Sequence, residues 1–187
     1  MALLRRPLRT PDDEGRSARF RAVFESNFDY VWLSLRRLGV HERDLEDVAQ
    51  DLFVRVHGRF DDYDPSRPIR PWLFAFAVRC ASDWRRLARH RVEVLGAPSQ
   101  GEPACGSPGA EAGMAHAEEV ALVHQALEQV ALERRAVVIL YELDEVPMKE
   151  IAAALGIPLF TAYSRLRVGR EELTAAIRRL QSERGAP

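Results

Sequence analysis

Residues 148–168 read MKEIAAALGIPLFTAYSRLRV, and this stretch decides the fold of the second half of the chain. Its apolar residues recur at three- and four-residue steps, which predicts a short helix that ends at Gly156. Glycine tolerates a left-handed turn there, and Pro158 suits the entry into a following helix. The small side chains of Ala152 and Ala153 would let two helices approach closely. The pattern therefore predicts a helix-turn-helix.

The second helix of this motif begins near Leu159 and carries hydrogen-bonding and charged side chains close to its start. In a DNA-binding helix-turn-helix this helix enters the major groove, where such side chains contact base edges and phosphates. The plainer alternative is a helical hairpin whose arginines form only a solvated face. The candidate DNA-binding residues of this helix are Thr161, Tyr163, Ser164, Arg165, Arg167 and Arg170.

Outward from this motif, the rest of the chain also reads as helix. In the first half, apolar steps predict one helix that stops at Gly39, a second that Asp44 caps, and a third that starts near Pro71. No alternating strand pattern of useful length occurs, so we expect an all-α fold of two small helical domains. The positions assigned to buried stripes include Trp72, Cys80, Trp84, Leu87, Val120, Val123 and Leu127.

A segment rich in Gly, Pro and Ser divides the chain at residues 96–113, which read GAPSQGEPACGSPGAEAG. It holds no large apolar residue and cannot bury enough surface to offset its ordering entropy, so we expect a flexible linker. As a coil it would average roughly 23 Å from end to end, which would let the two halves sit apart. The expected organisation is a tail at 1–15, a first domain at 16–95, this linker, and a helix-turn-helix domain at 114–187.

The composition excludes several classes of protein. The chain has 187 residues with 27 basic and 28 acidic side chains, so its net charge of −1 gives no global attraction to polyanions. Basic residues instead concentrate within 79–91 and 161–180, which favours two local contacts with nucleic acid. No apolar run is long enough to cross a membrane and no signal-peptide pattern occurs, so we expect a cytoplasmic protein.

Enzyme and metal motifs are missing from the sequence. Two cysteines are too few for a disulfide scaffold or a zinc finger, and no HExxH, CxxC or Walker motif occurs. We therefore expect no catalytic activity, no metal, no cofactor and no small-molecule substrate. The acidic group Glu142, Asp144 and Glu145 is interpreted as a solvated turn between helices.

Three stretches together carry a family resemblance. The segment ERRAVVILYELDEVPMKEIAAALGIPLFTAYSRLRVGREEL, at 133–173, resembles region 4 of bacterial RNA polymerase sigma factors of the extracytoplasmic-function (ECF) class. DLEDVAQDLFVRV, at 44–56, resembles the core-binding part of region 2, and RPWLFAFAVRCASDWRRLARHR, at 70–91, resembles its promoter-melting part. The resemblance covers roughly 18–93 and 116–181, with a linker where larger sigma factors have another domain.

The resemblance implies a function in transcription initiation. The protein would bind core RNA polymerase, through its β′ and β subunits, and direct it to a set of promoters. The second domain would read the −35 element as duplex DNA, and the first would capture the −10 element and hold its opened strand. Members of the class are commonly held inactive by an anti-sigma factor, so such a partner is expected here.

The resemblance also assigns roles to residues of the first half. The second helix turns its polar side chains away from its apolar stripe, and the implied polymerase-binding residues there are Asp47, Gln50, Asp51 and Arg55. Arginines can track phosphates and aromatic rings can stack on bases of a single strand. The implied −10 residues are Tyr63, Arg79, Asp83, Trp84, Arg85, Arg86 and Arg89. The alternative interpretations are a solvated helix face for the first set and core positions for the tryptophans.

Two positions depart from the pattern of the class. Arg79 stands where asparagine is common in the third helix, and Tyr163 stands where lysine is usual in the recognition helix. The promoter sequence therefore cannot be carried over from relatives. Two other functions stay open at this point. One is a stand-alone helix-turn-helix regulator that binds DNA without polymerase, and the other is a protein-interaction module that has lost DNA binding.

Overall fold

The computed structural model describes residues 11–95 and 111–184, and the side chains within 14–90 and 118–184. Both described ranges are helical and contain no strand, which confirms the all-α prediction. Most of the predicted linker and of the predicted tail lies outside the described residues. The helices are α1 (Pro11–Arg37), α2 (Leu45–Gly58), α3 (Ile69–Leu95), α4 (Glu111–Glu128), α5 (Leu132–Val138), α6 (Met148–Leu155) and α7 (Leu159–Arg184).

Helices α1, α2 and α3 pack against one another around an apolar core. Leu35, Leu52 and Leu73 are fully buried in it, because each lies on the apolar stripe of its helix. The first helix ends where the sequence predicts, since Gly39 adopts a φ of 92° that side chains with a Cβ rarely adopt. The chain then turns directly into α2 through a short 3-10 turn at Glu42–Asp44.

The predicted cap of α2 is wrong in its chemistry. Asp44 does precede the helix, but its carboxylate makes no capping hydrogen bond. Its Oδ2 atom instead accepts a hydrogen bond from the indole Nε1 of Trp84 on α3, at 3.1 Å. The side chain thus joins two helices. A partly buried indole N–H needs a hydrogen-bond acceptor, and the Asp44 carboxylate supplies it instead of capping α2.

The predicted helix-turn-helix is present at α6 and α7. Gly156 has a φ of 65° and follows the last residue of α6, and Ile157 N donates to Ala152 O at 3.0 Å. This is the left-handed helix ending that the glycine predicts. Ala152 is buried at the crossing of the two helices, whereas Ala153 is exposed, so only the first alanine allows the close approach.

Part of helix α3 is buried on every side, because helices from both halves of the chain pack against it. Five consecutive residues, 73–77, are buried, although an amphipathic helix would bury only one stripe. Helices α1 and α2 cover one side of α3, and α6 of the helix-turn-helix covers another. One apolar core therefore runs through both halves.

Polar contacts across this junction centre on Asp144. Its Oδ2 atom accepts a hydrogen bond from Tyr30 Oη at 2.8 Å, and its Oδ1 atom pairs with Arg37 Nη1 at 3.3 Å. The Asp144 side chain is only 11% exposed, so the interpretation of residues 142–145 as a solvated turn is wrong at this position. Burial, followed by the neighbouring carboxylate, raises the pKa of Tyr30, which keeps its hydroxyl protonated as a donor.

Arg135 is the largest fully buried side chain of the described core. Its Nη1 donates to Leu38 O at 2.7 Å, at the end of α1, and its Nη2 donates to Val130 O at 3.0 Å, just before α5. Burial lowers the pKa of the guanidinium to about 10, so it stays charged at neutral pH. The cation is held by carbonyl oxygens from both halves of the chain.

A histidine at the same junction is held neutral. His124 on α4 is half-buried. Burial, with the positive charges of Arg36 and Arg37 at the end of α1 adding to it, lowers its pKa to about 4. The contact between α1 and α4 thus contains two arginines and an uncharged imidazole at neutral pH.

Gly39→Ala is expected to lower the free energy of unfolding by about 2–4 kcal/mol. A methyl group there would lie 2.5 Å from Arg135 Nη1, on a backbone whose φ is already unfavourable for alanine. Gly58→Ala is the matched control, because its added Cβ meets no atom within 4 Å. Urea unfolding should place the two variants on opposite sides of the wild type, since Gly58→Ala is expected to stabilise α2 by about 0.5 kcal/mol. Equal midpoints would contradict the packing of Gly39 on Arg135.

The other positions that the sequence predicts to be buried are confirmed only in part. Cys80 is buried as predicted, and burial raises the pKa of its thiol to about 11. Leu87, Val120 and Val123 are exposed instead. None of the described helices combines the length and the hydropathy needed to cross a membrane.

Candidate nucleic-acid and protein interfaces

The outward face of α2 is acidic and open. Asp47, Gln50 and Asp51 are all exposed, as predicted, because Leu52 and its neighbours on the opposite stripe face the core. Asp47 has no ion pair among the described side chains. Sequence reasoning missed Val54, which is 71% exposed on this same face, three residues after Asp51. An apolar residue at a polar-face spacing is the signal that could have identified it.

Arg55 is engaged within the protein. Its Nη1 pairs with Asp83 on α3 at 2.8 Å, and its Nη2 pairs with Asp51 at 3.3 Å. The hydrogen bond to Asp83 is the main cause that raises the pKa of Arg55. Arg86 approaches the other oxygen of Asp83 at 3.7 Å. One ion cluster therefore contains residues predicted for polymerase binding and residues predicted for DNA binding, and it ties α2 to α3.

An aromatic cluster lies between the loop that follows α2 and the start of α3. The ring of Tyr63 stacks near Phe60 and lies 5.2 Å from the ring of Trp72, which in turn contacts Phe76. The Tyr63 hydroxyl donates to Arg67 O at 2.6 Å, which fixes the loop. Tyr63 and Trp72 are both half-buried, so each presents part of a ring to solvent. Exposed ring surface of this kind can stack on an unpaired base.

Arg79 lies next to this cluster. Its guanidinium carbon is 5.6 Å from the centre of the Phe76 ring, and its side chain is exposed. The position one turn before Asp83 therefore carries a cation over an aromatic ring, a geometry that leaves the outer N–H groups available. A phosphate oxygen can accept from such a guanidinium.

Trp84 and Arg85 face a cleft between the two halves of the chain. This cleft has a volume of about 570 Å³ and is lined on the other side by Glu128, Glu133 and Arg135. The indole N–H of Trp84 is already bound to Asp44, and both Trp84 and Arg85 are half-buried. These two predicted DNA-binding residues thus line a cleft whose other wall is the second half of the chain.

Two further arginines of α3 are exposed. Arg86 has a side chain that is 78% exposed, and Arg89 is also exposed although it lines the cleft with Arg85. Arg89 Nε donates a long hydrogen bond, at 3.4 Å, to Arg85 O. Both cations are accessible in a form suited to a nucleic-acid backbone.

Helix α7 presents a mixed aromatic and polar face. Phe160, Tyr163, Ser164 and Arg167 are all exposed, and their three- and four-residue spacing puts them on one side. Thr161 and Arg165, two further DNA-binding candidates from the sequence, are half-buried at the edge of this face. Arg167 pairs with Glu171 at 2.8 Å, an exposed contact of small worth that a phosphate could replace.

Arg170, the last candidate on α7, contacts residues that follow α5. Its guanidinium lies 5.4 Å from the ring centre of Tyr141 and its Nε donates to Glu142. Both partners lie in the π-helical turn that follows α5, so Arg170 fastens α7 to its own domain. Within the described side chains, no group of three or more His, Cys, Asp and Glu residues is placed to hold a metal ion.

Comparison with known families matches both halves of the chain. The family described as Sigma-70 region 2 matches residues 23–91, which contain most of α1 and all of α2. The family described as Sigma-70, region 4 matches residues 121–173, which contain the helix-turn-helix. The two matches occur in the order that the sequence resemblance predicts.

Individual proteins that are similar to this chain are also sigma factors. RNA polymerase sigma factor CnrH of Cupriavidus metallidurans is 32% identical over 148 residues, which cover 76% of this chain and 78% of that protein. ECF RNA polymerase sigma factor SigL of Mycobacterium tuberculosis is 30% identical over 165 residues, which cover 88% of this chain and 92% of that protein.

Two solved structures have a similar fold. CnrH in complex with the cytosolic domain of CnrY matches with a TM-score of 0.60 and 25% identity, over 87% of this chain and 89% of that one. The sigma factor RpoE of Bartonella quintana, in complex with the anti-sigma factor NepR, matches with a TM-score of 0.65 and 17% identity over 85% of this chain and 96% of that one. This chain belongs to the extracytoplasmic-function group of the sigma-70 family of RNA polymerase sigma factors, which are transcription initiation factors.

Proposed function

We propose that the chain binds core RNA polymerase through the open face of α2 and directs it to promoters through α7 and α3. The observation that carries this proposal is the presence, in one chain of this family, of an acidic docking face and a helix-turn-helix with an uncovered reading helix. The proposed units are a first domain at 16–95 and a helix-turn-helix domain at 114–187, with a linker at 96–113. The chain catalyses no reaction itself, and it acts in the cytoplasm, where the polymerase is.

The polymerase contact combines polar side chains with one apolar side chain. Asp47, Gln50 and Asp51 supply acceptors for a basic surface, and Val54 supplies an apolar contact one turn after them on the same face. The resemblance implies that this surface lies on the β′ subunit, with a further contact of the second domain on β. Arg55 contributes indirectly, because its ion pairs hold Asp51 and Asp83 in place.

The −35 element is read by the outer face of α7. Ser164 and Arg167 are exposed on that face, and Arg165 and Thr161 lie at its edge. Hydroxyl and guanidinium groups on a helix in the major groove match base edges and phosphates. Arg170 donates a hydrogen bond to Glu142 and so holds α7 against the turn that follows α5. Its effect on DNA binding is therefore indirect.

The −10 element is held by the first domain. The half-buried rings of Tyr63 and Trp72 offer a stacking surface for an unpaired base, and Arg79 lies beside them. Arg86 and Arg89 continue the cationic path along α3. Arg85 and Trp84 line the cleft beside the second domain and would join this path if that domain moved away. Asp83 contributes indirectly, through its ion pairs with Arg55 and Arg86.

A protein inhibitor of the anti-sigma type is proposed as the regulatory partner. Both similar solved structures are sigma factors with a bound partner, the cytosolic domain of CnrY in one and the anti-sigma factor NepR in the other. The faces of α2 and α7 remain uncovered in this chain, so an inhibitor could occupy either without competing with its own packing.

The experiment that tests the proposed function adds the purified full chain to purified bacterial core RNA polymerase. We expect a stoichiometric complex, and RNA that starts at defined genomic sites only when both components are present. A chain that is folded and free of partners, and that neither binds core polymerase nor yields promoter-dependent RNA, would contradict the proposal. Sequence-specific binding to duplex DNA without polymerase would then favour the stand-alone regulator.

A further inference from the structure

Phe160 is an unusually open aromatic residue for a folded helix. Its side chain is 83% exposed, more than that of any other large exposed hydrophobic residue in the described part of the chain. It is the second residue of α7, directly after the turn of the helix-turn-helix. Tyr163, one turn later, is 54% exposed on the same side. Large apolar groups that are left in water at one point of a surface commonly mark a contact site.

The rotation of α7 about its axis is fixed, so this exposure is built into the fold. Ala162 is fully buried and Leu166 is 5% exposed, and both lie on the side of α7 that packs on the core. With those two positions turned inward, residues 160, 163, 164 and 167 must point outward. Phe160 therefore cannot turn into the core without a rotation that exposes Ala162 and Leu166.

The charge around Phe160 favours a polyanion as the occupant of this face. Residues 159–170 contain three arginines and no acidic residue. Of these, Arg167 pairs with Glu171 and Arg170 pairs with Glu142, both in exposed contacts. Ser164 and Arg167 are exposed beside the aromatic pair, and the N-terminal end of α7 adds the positive end of a helix dipole. Positive charge on the first turns of the second helix of a helix-turn-helix suits the phosphate backbone of DNA.

The chemistry of the major groove then specifies what Phe160 can contact. A phenyl ring has no hydrogen-bonding atom, so it gains nothing from the donors and acceptors of the other bases. Thymine alone presents an apolar group there, the C5-methyl, and phenylalanine is among the side chains that contact it. The first turn of a recognition helix is the part that reaches base edges.

We propose that Phe160 reads thymine in the −35 element by packing its ring on the C5-methyl group, with Tyr163 covering the adjacent base step. This inference rests on the proposed function, because it concerns the same α7 face. It accounts for the two exposed aromatic side chains in the first turns of α7. It makes Phe160 a specificity-determining residue, which sequence reasoning did not include among the candidates.

The test uses the full chain bound to core polymerase and a duplex library with a randomised upstream element. Duplexes selected by the wild type are remade with deoxyuridine in place of thymidine, which removes the methyl group and leaves pairing unchanged. We expect thymine to be enriched at one or two positions, and uracil there to weaken binding about three- to fivefold per methyl group. Phe160→Ala should bind both duplexes with the weaker affinity, and Phe160→Leu should keep part of the preference.

The outcomes separate this inference from the proposed function. If the wild type initiates at promoters but binds thymine and uracil duplexes equally, the role of Phe160 is wrong and the proposed function stands. If Phe160→Ala loses core-polymerase binding instead of base preference, the face is a protein contact and the inference is again wrong. If the wild type yields no promoter-dependent RNA at all, the proposed function is wrong, and this inference is wrong with it because it depends on that function.

Discussion

Replacement of Arg135 by methionine is expected to lower the free energy of unfolding by about 3–5 kcal/mol. The guanidinium is fully buried, and its N–H groups satisfy Leu38 O and Val130 O. Methionine fills much of the volume but donates no hydrogen bond, so two buried carbonyl oxygens would lose their partner. Each such loss costs about 1–3 kcal/mol when water cannot replace the donor.

Urea unfolding followed by circular dichroism measures this effect, with Arg134→Met as the matched control. Arg134 is the adjacent arginine of α5, but its side chain is 35% exposed and pairs with Glu172 on α7. An ion pair of that kind is worth at most about 1 kcal/mol. If Arg135→Met unfolds at the wild-type urea concentration, the two carbonyl groups do not depend on the guanidinium.

Asp47→Arg is expected to weaken binding of core polymerase at least tenfold, and to leave folding unchanged. Asp47 is exposed and makes no ion pair within the described residues, so its removal costs the fold little. A cation at the same place would repel the basic surface that the acidic face of α2 is proposed to meet. Like charges brought together at an interface cost several kcal/mol.

Glu183→Arg provides the control for this charge change. Glu183 is an exposed residue near the end of α7, so the substitution alters the net charge equally but far along the chain from α2. Titration of labelled core polymerase with each variant gives the dissociation constants, and thermal unfolding shows that the fold is retained. Wild-type affinity in a folded Asp47→Arg variant would mean that polymerase binds another surface.

Much of the fold follows from local pattern. The end of α1 at Gly39 and the turn at Gly156 were predicted because a positive φ is a property of one residue in its immediate context. The outward position of Asp47 and Asp51 was predicted because α2 is amphipathic, and one apolar stripe fixes the whole rotation of a helix. On α7 the sequence candidates agree only in part with the exposed side, because Tyr163, Ser164 and Arg167 are exposed but Phe160 was not among them.

The rest could not be predicted, because it depends on contacts between distant parts of the chain. Asp144 contacts Tyr30 and Arg37, more than 100 residues away, and nothing near Asp144 in the sequence shows that it is buried. Arg135 and Leu38 are 97 residues apart. A hint was present in PWLFAFAV at 71–78, an apolar run too continuous for a helix with a solvated side.

The packing of the helix-turn-helix on α3 has a consequence for reach along DNA. The −35 and −10 elements lie about 25 base pairs apart, roughly 85 Å of B-form duplex. A helix of 27 residues such as α3 is only about 40 Å long, and the second domain lies alongside it. On the proposed function, a molecule whose two halves are packed together in this way cannot span both elements.

On that proposal, engagement of a promoter requires the two halves to separate. Binding of polymerase and DNA would then supply the free energy that the shared core and the contacts of Asp144 supply in the free chain. The apparent affinity for polymerase would equal the intrinsic affinity multiplied by the fraction of molecules whose halves are already apart. The stability of the interface between the halves would therefore limit promoter binding before any inhibitor is present.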